Sequence, residues 1–213
     1  MNDLVTRMTE VRNGYQVTVN DTDTFHLSKA ELRELPLCEG QSLDWAEYQK
    51  NLLVLQYPDA LNRAVRLLAI RPRSRREVER ALQLRGCLPD TVEMVIYKLE
   101  KEKLLDDAEF ASVWAQARSQ QGIGRSRIRQ ELRMKGVDSE TAEAALNGLN
   151  SETEDQQTLE VAEKLLRRYH ELTPSDAIRK ALPAMQRRGY AYGEAYRALK
   201  AVIARLCEEE NRS

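Results

Sequence analysis

The sequence predicts a mainly α-helical chain: three tandem three-helix repeats behind a small N-terminal β-hairpin/helix module. Three observations carry this. The first is a repeat anchored on Gly86, Gly136 and Gly189. Stepping six, ten and thirteen residues past each glycine gives Val92, Ile96 and Leu99, then Ala142, Leu146 and Leu149, then Ala195, Leu199 and Val202. All are apolar at the three-and-four spacing of one helix face, and a fixed long period is the mark of a repeat architecture. The second is the basic residue before each glycine: Arg85, Lys135 and Arg188. A glycine past a helix end takes the left-handed cap cheaply, and a cation there favours the carbonyl end of the dipole. The third is alternation of Val5, Val11, Tyr15, Val17 and Val19 with polar residues around Asn13-Gly14, a strong hairpin signal.

The elements follow in order. Asn13-Gly14 is expected to turn the hairpin, since both residues tolerate positive φ. A second turn, Asn20 to Thr24, leads into Phe25-His26-Leu27. Ser28 with Glu31 makes a capping-box pattern for a short helix that Pro36 ends. Glu39-Gly40-Gln41 is a turn, and Ser42 is expected to cap a helix through about Tyr57. Two or three strands do not make a stable sheet alone, so they should pack on helices or on a partner.

Each repeat then opens with an amphipathic helix. Its apolar residues are Leu61, Ala64, Val65, Leu67 and Leu68 in the first copy, Phe110, Ala111, Val113, Trp114 and Ala117 in the second, and Leu159, Ala162, Leu165, Leu166 and Tyr169 in the third. In the middle helices Val78 and Leu82 match Ile128 and Leu132 at equal distances from their glycines. Ile178 and Leu182 match only with three residues inserted after Leu182, around Pro183-Ala184-Met185. Ser74 with Glu77 makes a capping box, and Thr173, Pro174 and Asp176 make another helix start. Ser151 to Asp155 reads as a polar linker. The expected divisions are 1–58 for the hairpin module, then 59–105, 106–150 and 151–213 for the repeats.

The 213 residues are 42% hydrophobic and 31% charged, which suits a helix-rich chain with small cores. No apolar run approaches the roughly 20 residues of a membrane span, and MNDLVTRMTE lacks signal-peptide character. Cys38, Cys87 and Cys207 have neither metal-ligand spacing nor a disulfide pattern, so a reducing cytoplasm is the simplest setting. The two histidines, His26 and His170, lie far apart, and no nucleophile elbow, zinc-protease helix or phosphate loop is present. Gly122-Ile123-Gly124 is too weak for a nucleotide site. Asp106, Asp107 and Glu109 are better explained by a helix dipole than by a metal. The expectation is a non-enzymatic protein without cofactor or metal.

The net charge of −1 is unevenly spread: −5 over residues 1–60, +7 over 61–136 and −3 over 137–213. The middle segment is a candidate for polyanion contact. Arg71, Arg73, Arg75, Arg76 and Arg80 surround the start of one middle helix. Arg125, Arg129 and Arg133 recur every four residues along the next, with Arg127 and Lys135 nearby. Like charges at that spacing repel. A phosphate backbone or an acidic protein groove would relieve them; so would simple solvation, helped by Glu77, Glu79 and Glu131.

Three linked motifs carry a family resemblance. Arg71-Pro72-Arg73-Ser74-Arg75-Arg76-Glu77-Val78 resembles the R-P-R-S-x-x-E-[LV] signature of RecX proteins, and Leu82, Arg85 and Gly86 follow as they do there. Leu99 to Ala111, with Leu104-Leu105-Asp106-Asp107 and Phe110-Ala111, resembles the family's joint between repeats. Gly124 to Val137 resembles its second signature, G-x-x-[RK]-[IL]-x-x-E-L-x-x-K-G-[VI]. The likeness covers essentially the whole chain and is strongest over 61–149.

The resemblance implies a fold and a function. RecX proteins are elongated, curved arrays of three-helix repeats, cytoplasmic modulators that lie along RecA filaments and restrain strand exchange, ATP turnover and coprotease activity. The resemblance therefore implies a RecA filament as partner, a part in DNA repair, recombination and the SOS response, and possible contact with single-stranded DNA. The ten basic residues of the two clusters are the candidate contacts, chosen by charge and position. A monomer without membrane association is expected. The competing readings are a helical-repeat protein that binds DNA directly, without RecA, and a scaffold for another protein.

Overall fold

The structure, a computed structural model, describes residues 3–210. Its backbone contacts divide the chain into two compact units, one ending at Asp106 and the other beginning at Asp107. The architecture is the expected one, mainly α-helical three-helix repeats behind a small strand module.

The first unit begins with an antiparallel sheet in the order β3-β2-β1-β4, formed by β1 (Asp3–Val11), β2 (Gly14–Val19), β3 (Asp23–Ser28) and the two-residue β4 (Ser42–Leu43). Alternation puts Val5, Val17, Val19 and Leu27 on the buried face. The first turn differs from expectation. Val11 pairs with Gly14, so Arg12-Asn13 is the loop and Asn13 does not take positive φ. Gly14 is needed because β3 passes close by: a Cβ there would sit 2.0 Å from the Leu27 carbonyl oxygen. The left-handed pair belongs to the second turn, at Asn20 (φ 51°) and Asp21 (φ 58°).

Ser28 and Glu31 form the expected capping box for α1 (Lys29–Glu34). Ser42 does not cap the next helix; it pairs with Leu4 in β4, and Asp44 caps α2 (Trp45–Ile70) by accepting from the Glu47 amide. Nor does α2 stop near Tyr57. It continues through Pro58, and Pro58 and Val54, whose carbonyl loses its partner, both lie on the exposed side of the helix, where the missing bond costs least. Its buried stripe is Leu52, Gln56, Ala60 and Ala64, and Val65 lies off it, exposed. Gln56 is a buried polar hub. Its carbonyl oxygen accepts from the Leu88 amide (2.8 Å) and the Thr91 hydroxyl (3.1 Å), and its amide donates to Glu31 (2.8 Å). Every strong polar capacity is used, so burial costs little. Helices α3 (Arg75–Gln83) and α4 (Pro89–Lys101) complete the first repeat, with Val78, Leu82, Val92, Ile96 and Leu99 packed on Ala60 and Ala64.

The second unit holds α5 (Asp107–Gln120), α6 (Arg125–Met134), α7 (Ser139–Asn147), α8 (Ser151–Leu166), a 3-10 turn at Arg167–Tyr169, α9 (Pro174–Arg187) and α10 (Tyr192–Glu210). In α5 the buried residues are Phe110, Ala111, Ala115 and Ser119; Val113 and Ala117 are exposed, because the true stripe runs one position away. The expected linker at Ser151 to Asp155 is the first turn of α8, capped by Asn150, with its acids at the positive end of the dipole. The expected insertion after Leu182 is also absent. Ala181 and Met185 stand eight and four residues before Gly189, where Val78 and Leu82 stand before Gly86. Both are fully buried, while Ile178 and Leu182 only flank the core. The third middle helix keeps the common register with smaller or more pliant side chains. Gly86 (φ 85°), Gly136 (φ 85°) and Gly189 (φ 94°) all take the left-handed cap.

Candidate interaction surface

The first basic cluster is built around the start of α3. Ser74 caps the helix and Glu77 closes the box by bonding back to the Ser74 amide. The same Glu77 takes a two-pronged contact from Arg71 (3.0 and 3.2 Å), which raises the Arg71 pKa above its ordinary value through that hydrogen bond. Arg73 donates from Nε to the Leu67 carbonyl (3.1 Å), tying the loop to the end of α2. Arg75 bridges Glu79 (2.8 Å) and Glu100 of α4 (2.9 Å), with its pKa raised chiefly by the Glu79 bond. Arg76 and Arg80 are exposed and make no ion pair among the described residues.

The second cluster lies on α6. Arg125, Arg129 and Arg133 all face solvent, as their spacing predicts. Two of the three are engaged within the unit. Arg125 forms a fork with Glu154 of α8 (2.6 and 3.0 Å), and Arg129 forms one with Glu143 of α7. These carboxylates hold both guanidinium pKa values up by hydrogen bonding. Arg133 has no ion pair among the described residues. The repulsion expected along this stripe is therefore largely neutralised from within.

Between the stripe and the core sits Glu131, a buried carboxylate that sequence reasoning treated only as a neutraliser. It accepts from Arg118 through both oxygens (2.7 and 2.7 Å), from the Trp114 indole (3.2 Å) and from Arg127 at 3.4 Å. The Arg118 hydrogen bond is the main reason its pKa falls below the ordinary glutamate value. Lys135 lies over the Trp114 ring, its Nζ 4.1 Å from the centroid. Arg127 and Lys135 thus belong to the internal fabric of the repeat.

The two clusters are not copies of each other. Arg75 and Arg125 alone share a repeat position, eleven residues before Gly86 and Gly136. Where α6 has Arg129, α3 has Glu79, and where α3 has Arg80, α6 has Gln130. Among the described residues no group of His, Cys, Asp and Glu is arranged to hold a metal. No helix among them is long and apolar enough to cross a membrane.

The comparisons with known proteins agree with this architecture. Family models described as the first, second and third three-helix domains of RecX match residues 60–99, 106–146 and 152–199. Proteins named regulatory protein RecX are similar along much of the chain. The one from Amycolatopsis mediterranei is 37% identical over 135 residues, 63% of this chain and 77% of that protein. The one from Mycobacterium ulcerans is 36% identical over 151 residues, 70% and 85%. The one from Bacillus subtilis is 28% identical over 183 residues, 84% and 68%. A crystal structure titled regulatory protein RecX superposes with a TM-score of 0.65 at 21% identity, covering 93% of this chain and 99% of that one. RecX from Lactobacillus salivarius gives 0.65 at 23%, covering 70% and 97%. At those identities the two structures show the fold.

Proposed function

The chain belongs to the RecX family of regulatory proteins, and from that premise we propose that it binds RecA filaments on single-stranded DNA and restrains them. Restraint would lower strand exchange, ATP turnover and coprotease activity, and so regulate DNA repair, recombination and the SOS response from the cytoplasm. The observation that supports this reading most is the ordered match of all three RecX three-helix domains along one chain.

The proposed contacts are the cations of the two signatures, ranked by what each must give up. Arg76, Arg80 and Arg133 are exposed and need break no internal ion pair to meet a carboxylate or phosphate. Arg71, Arg75, Arg125 and Arg129 would have to leave Glu77, Glu79, Glu154 and Glu143. A monomer acting in this way needs no cofactor.

The test is the single-strand-dependent ATP hydrolysis of RecA from the same organism, with this protein added below stoichiometry. A fall in hydrolysis is expected, and a combined Arg76→Glu, Arg80→Glu, Arg133→Glu variant should need a higher concentration for the same effect. Unchanged hydrolysis with the unaltered protein would overturn the proposal. Equal potency of the variant would overturn the ranking of contacts.

A further inference from the structure

The third helices of the three repeats are equivalent in register but not in the face they turn to solvent. At four and seven residues past the cap glycine, the first repeat has Asp90 and Glu93 and the second has Glu140 and Glu143. The third has Gly193 and Tyr196. At eight and eleven residues past, Met94 and Tyr97 in the first and Ala144 and Asn147 in the second become Arg197 and Lys200. The pair of acids that the first two repeats carry at these positions is replaced in the third by Gly193 and Tyr196, with Arg197 and Lys200 following, while the buried face stays apolar.

The exposed aromatics are also organised. Tyr192 and Tyr196 are 60% and 39% exposed. Their rings lie 6.1 Å apart between centroids and within 4° of parallel, one helical turn apart on α10. Arg197 and Lys200 are exposed and have no ion pair among the described residues. The acid of this stretch, Glu194, is half-buried; it accepts from the Ala191 amide (3.3 Å), and its charge acts on Arg125 and Tyr190. The helix thus exposes two parallel tyrosine rings beside two cations that have no ion pair among the described residues.

We propose that this face of α10 is a binding surface for single-stranded nucleic acid, with Tyr192 and Tyr196 stacking on unpaired bases and Arg197 and Lys200 meeting the phosphates. Every base has a π-face, so stacking of this kind tolerates sequence, and it requires bases that a duplex keeps hidden. The free cations supply the charge complement that the acidic faces of the other two repeats would oppose. The surface is carried by a different helix from the arginine clusters of α3 and α6, and its proposed binding does not require RecA.

The test uses the full chain and no recombinase. Fluorescence anisotropy measures binding to a labelled oligothymidylate of roughly 20 nucleotides, ample for a single-strand site, and to an abasic strand of equal length. The oligothymidylate should bind more tightly than the abasic strand, and duplex should compete poorly. Tyr192→Ala with Tyr196→Ala should weaken oligothymidylate binding by about tenfold or more, and abasic binding should not change. Arg197→Glu with Lys200→Glu should weaken both and flatten the salt dependence. Helical circular dichroism checks the fold, and if the double tyrosine variant loses helix, Tyr192→Ala alone decides. Equal binding of the two strands, or full oligothymidylate affinity in a folded tyrosine variant, overturns the proposal. No oligonucleotide binding at low salt also overturns it, and would leave the rings to a protein partner.

Discussion

Two helices in the second unit hold equivalent places in their repeats and begin in opposite ways. Helix α9 starts at an exposed Thr173, whose hydroxyl accepts from the Asp176 amide, with Pro174 in the first turn. Helix α6 starts at a buried Gly124 that has no capping side chain. Its free amides are instead taken by the turn between α9 and α10: Gly124 N–H donates to the Arg188 carbonyl (2.9 Å) and Ser126 N–H to the Gly189 carbonyl (3.2 Å). The turn's orphan carbonyls and the helix's orphan amides satisfy each other. The price is space. A Cβ on Gly124 would lie 2.4 Å from the Gly189 carbonyl carbon, and one on Gly189 would lie 2.5 Å from the Arg127 nitrogen. In α9 the open start keeps a side-chain cap; in α6 the start that the α9–α10 turn covers uses backbone contact instead. In α3 the same repeat position is Ser74, which caps.

The largest expected effect breaks this contact. Gly124→Ser would restore the residue found at the equivalent position of α3, so local propensity alone predicts a gain. The atoms it meets are backbone and cannot swing away. Overpacking together with two lost hydrogen bonds should cost at least about 3 kcal/mol. Urea unfolding followed by Trp114 fluorescence, in a Trp45→Phe background, reports this unit. Unaltered stability would mean that the turn does not dock on α6.

The next effect compares the polar hubs of the two units. Gln56 is neutral, whereas Glu131 is a carboxylate held below its ordinary pKa mainly by the Arg118 hydrogen bond. A depressed folded pKa means that the unfolded chain binds the proton more tightly. Glu131 therefore contributes its full stability above the ordinary glutamate range, and that contribution is lost as pH falls through the lower folded value, below pH ~4.3. Glu131→Gln should cost about 2 kcal/mol at neutral pH, with the gap to the unaltered protein closing as pH falls. A gap that stays constant down to pH ~3 would show that Glu131 does not titrate with folding.

How far these features were legible depended on whether their cause was local. The three-helix repeats announced themselves because Val92, Ile96 and Leu99 and their counterparts recur at fixed distances from glycines whose left-handed caps are local necessities. The capping boxes at Ser28 and Ser74 were legible for the same reason. The register of α9 was not. Ile178 and Leu182 are the more apolar pair, and only the core shows that Ala181 and Met185 point inward. The need for glycine at 124 was not legible, because its reason lies about 65 residues away, at Gly189. The arginine clusters were legible as charge but not as pairs, since Glu143, Glu154 and Glu100 reach them from other helices.

The smallest effect lies at the uncovered end of the comparison. Thr173→Ala removes the oxygen that caps α9 but leaves that helix start open to water, which can take up the released amide. The loss should be about 1 kcal/mol, and Thr173→Gly should cost only a few tenths, since glycine still permits water to reach the amides. Glycine then has opposite meanings at the starts of two middle helices: nearly neutral at position 173 and indispensable at 124. Stability measured for the four single variants Thr173→Ala, Thr173→Gly, Gly124→Ala and Gly124→Ser separates docking from propensity. If the losses at 124 are no larger than those at 173, helix capping alone governs both starts and the interlock with Gly189 contributes nothing.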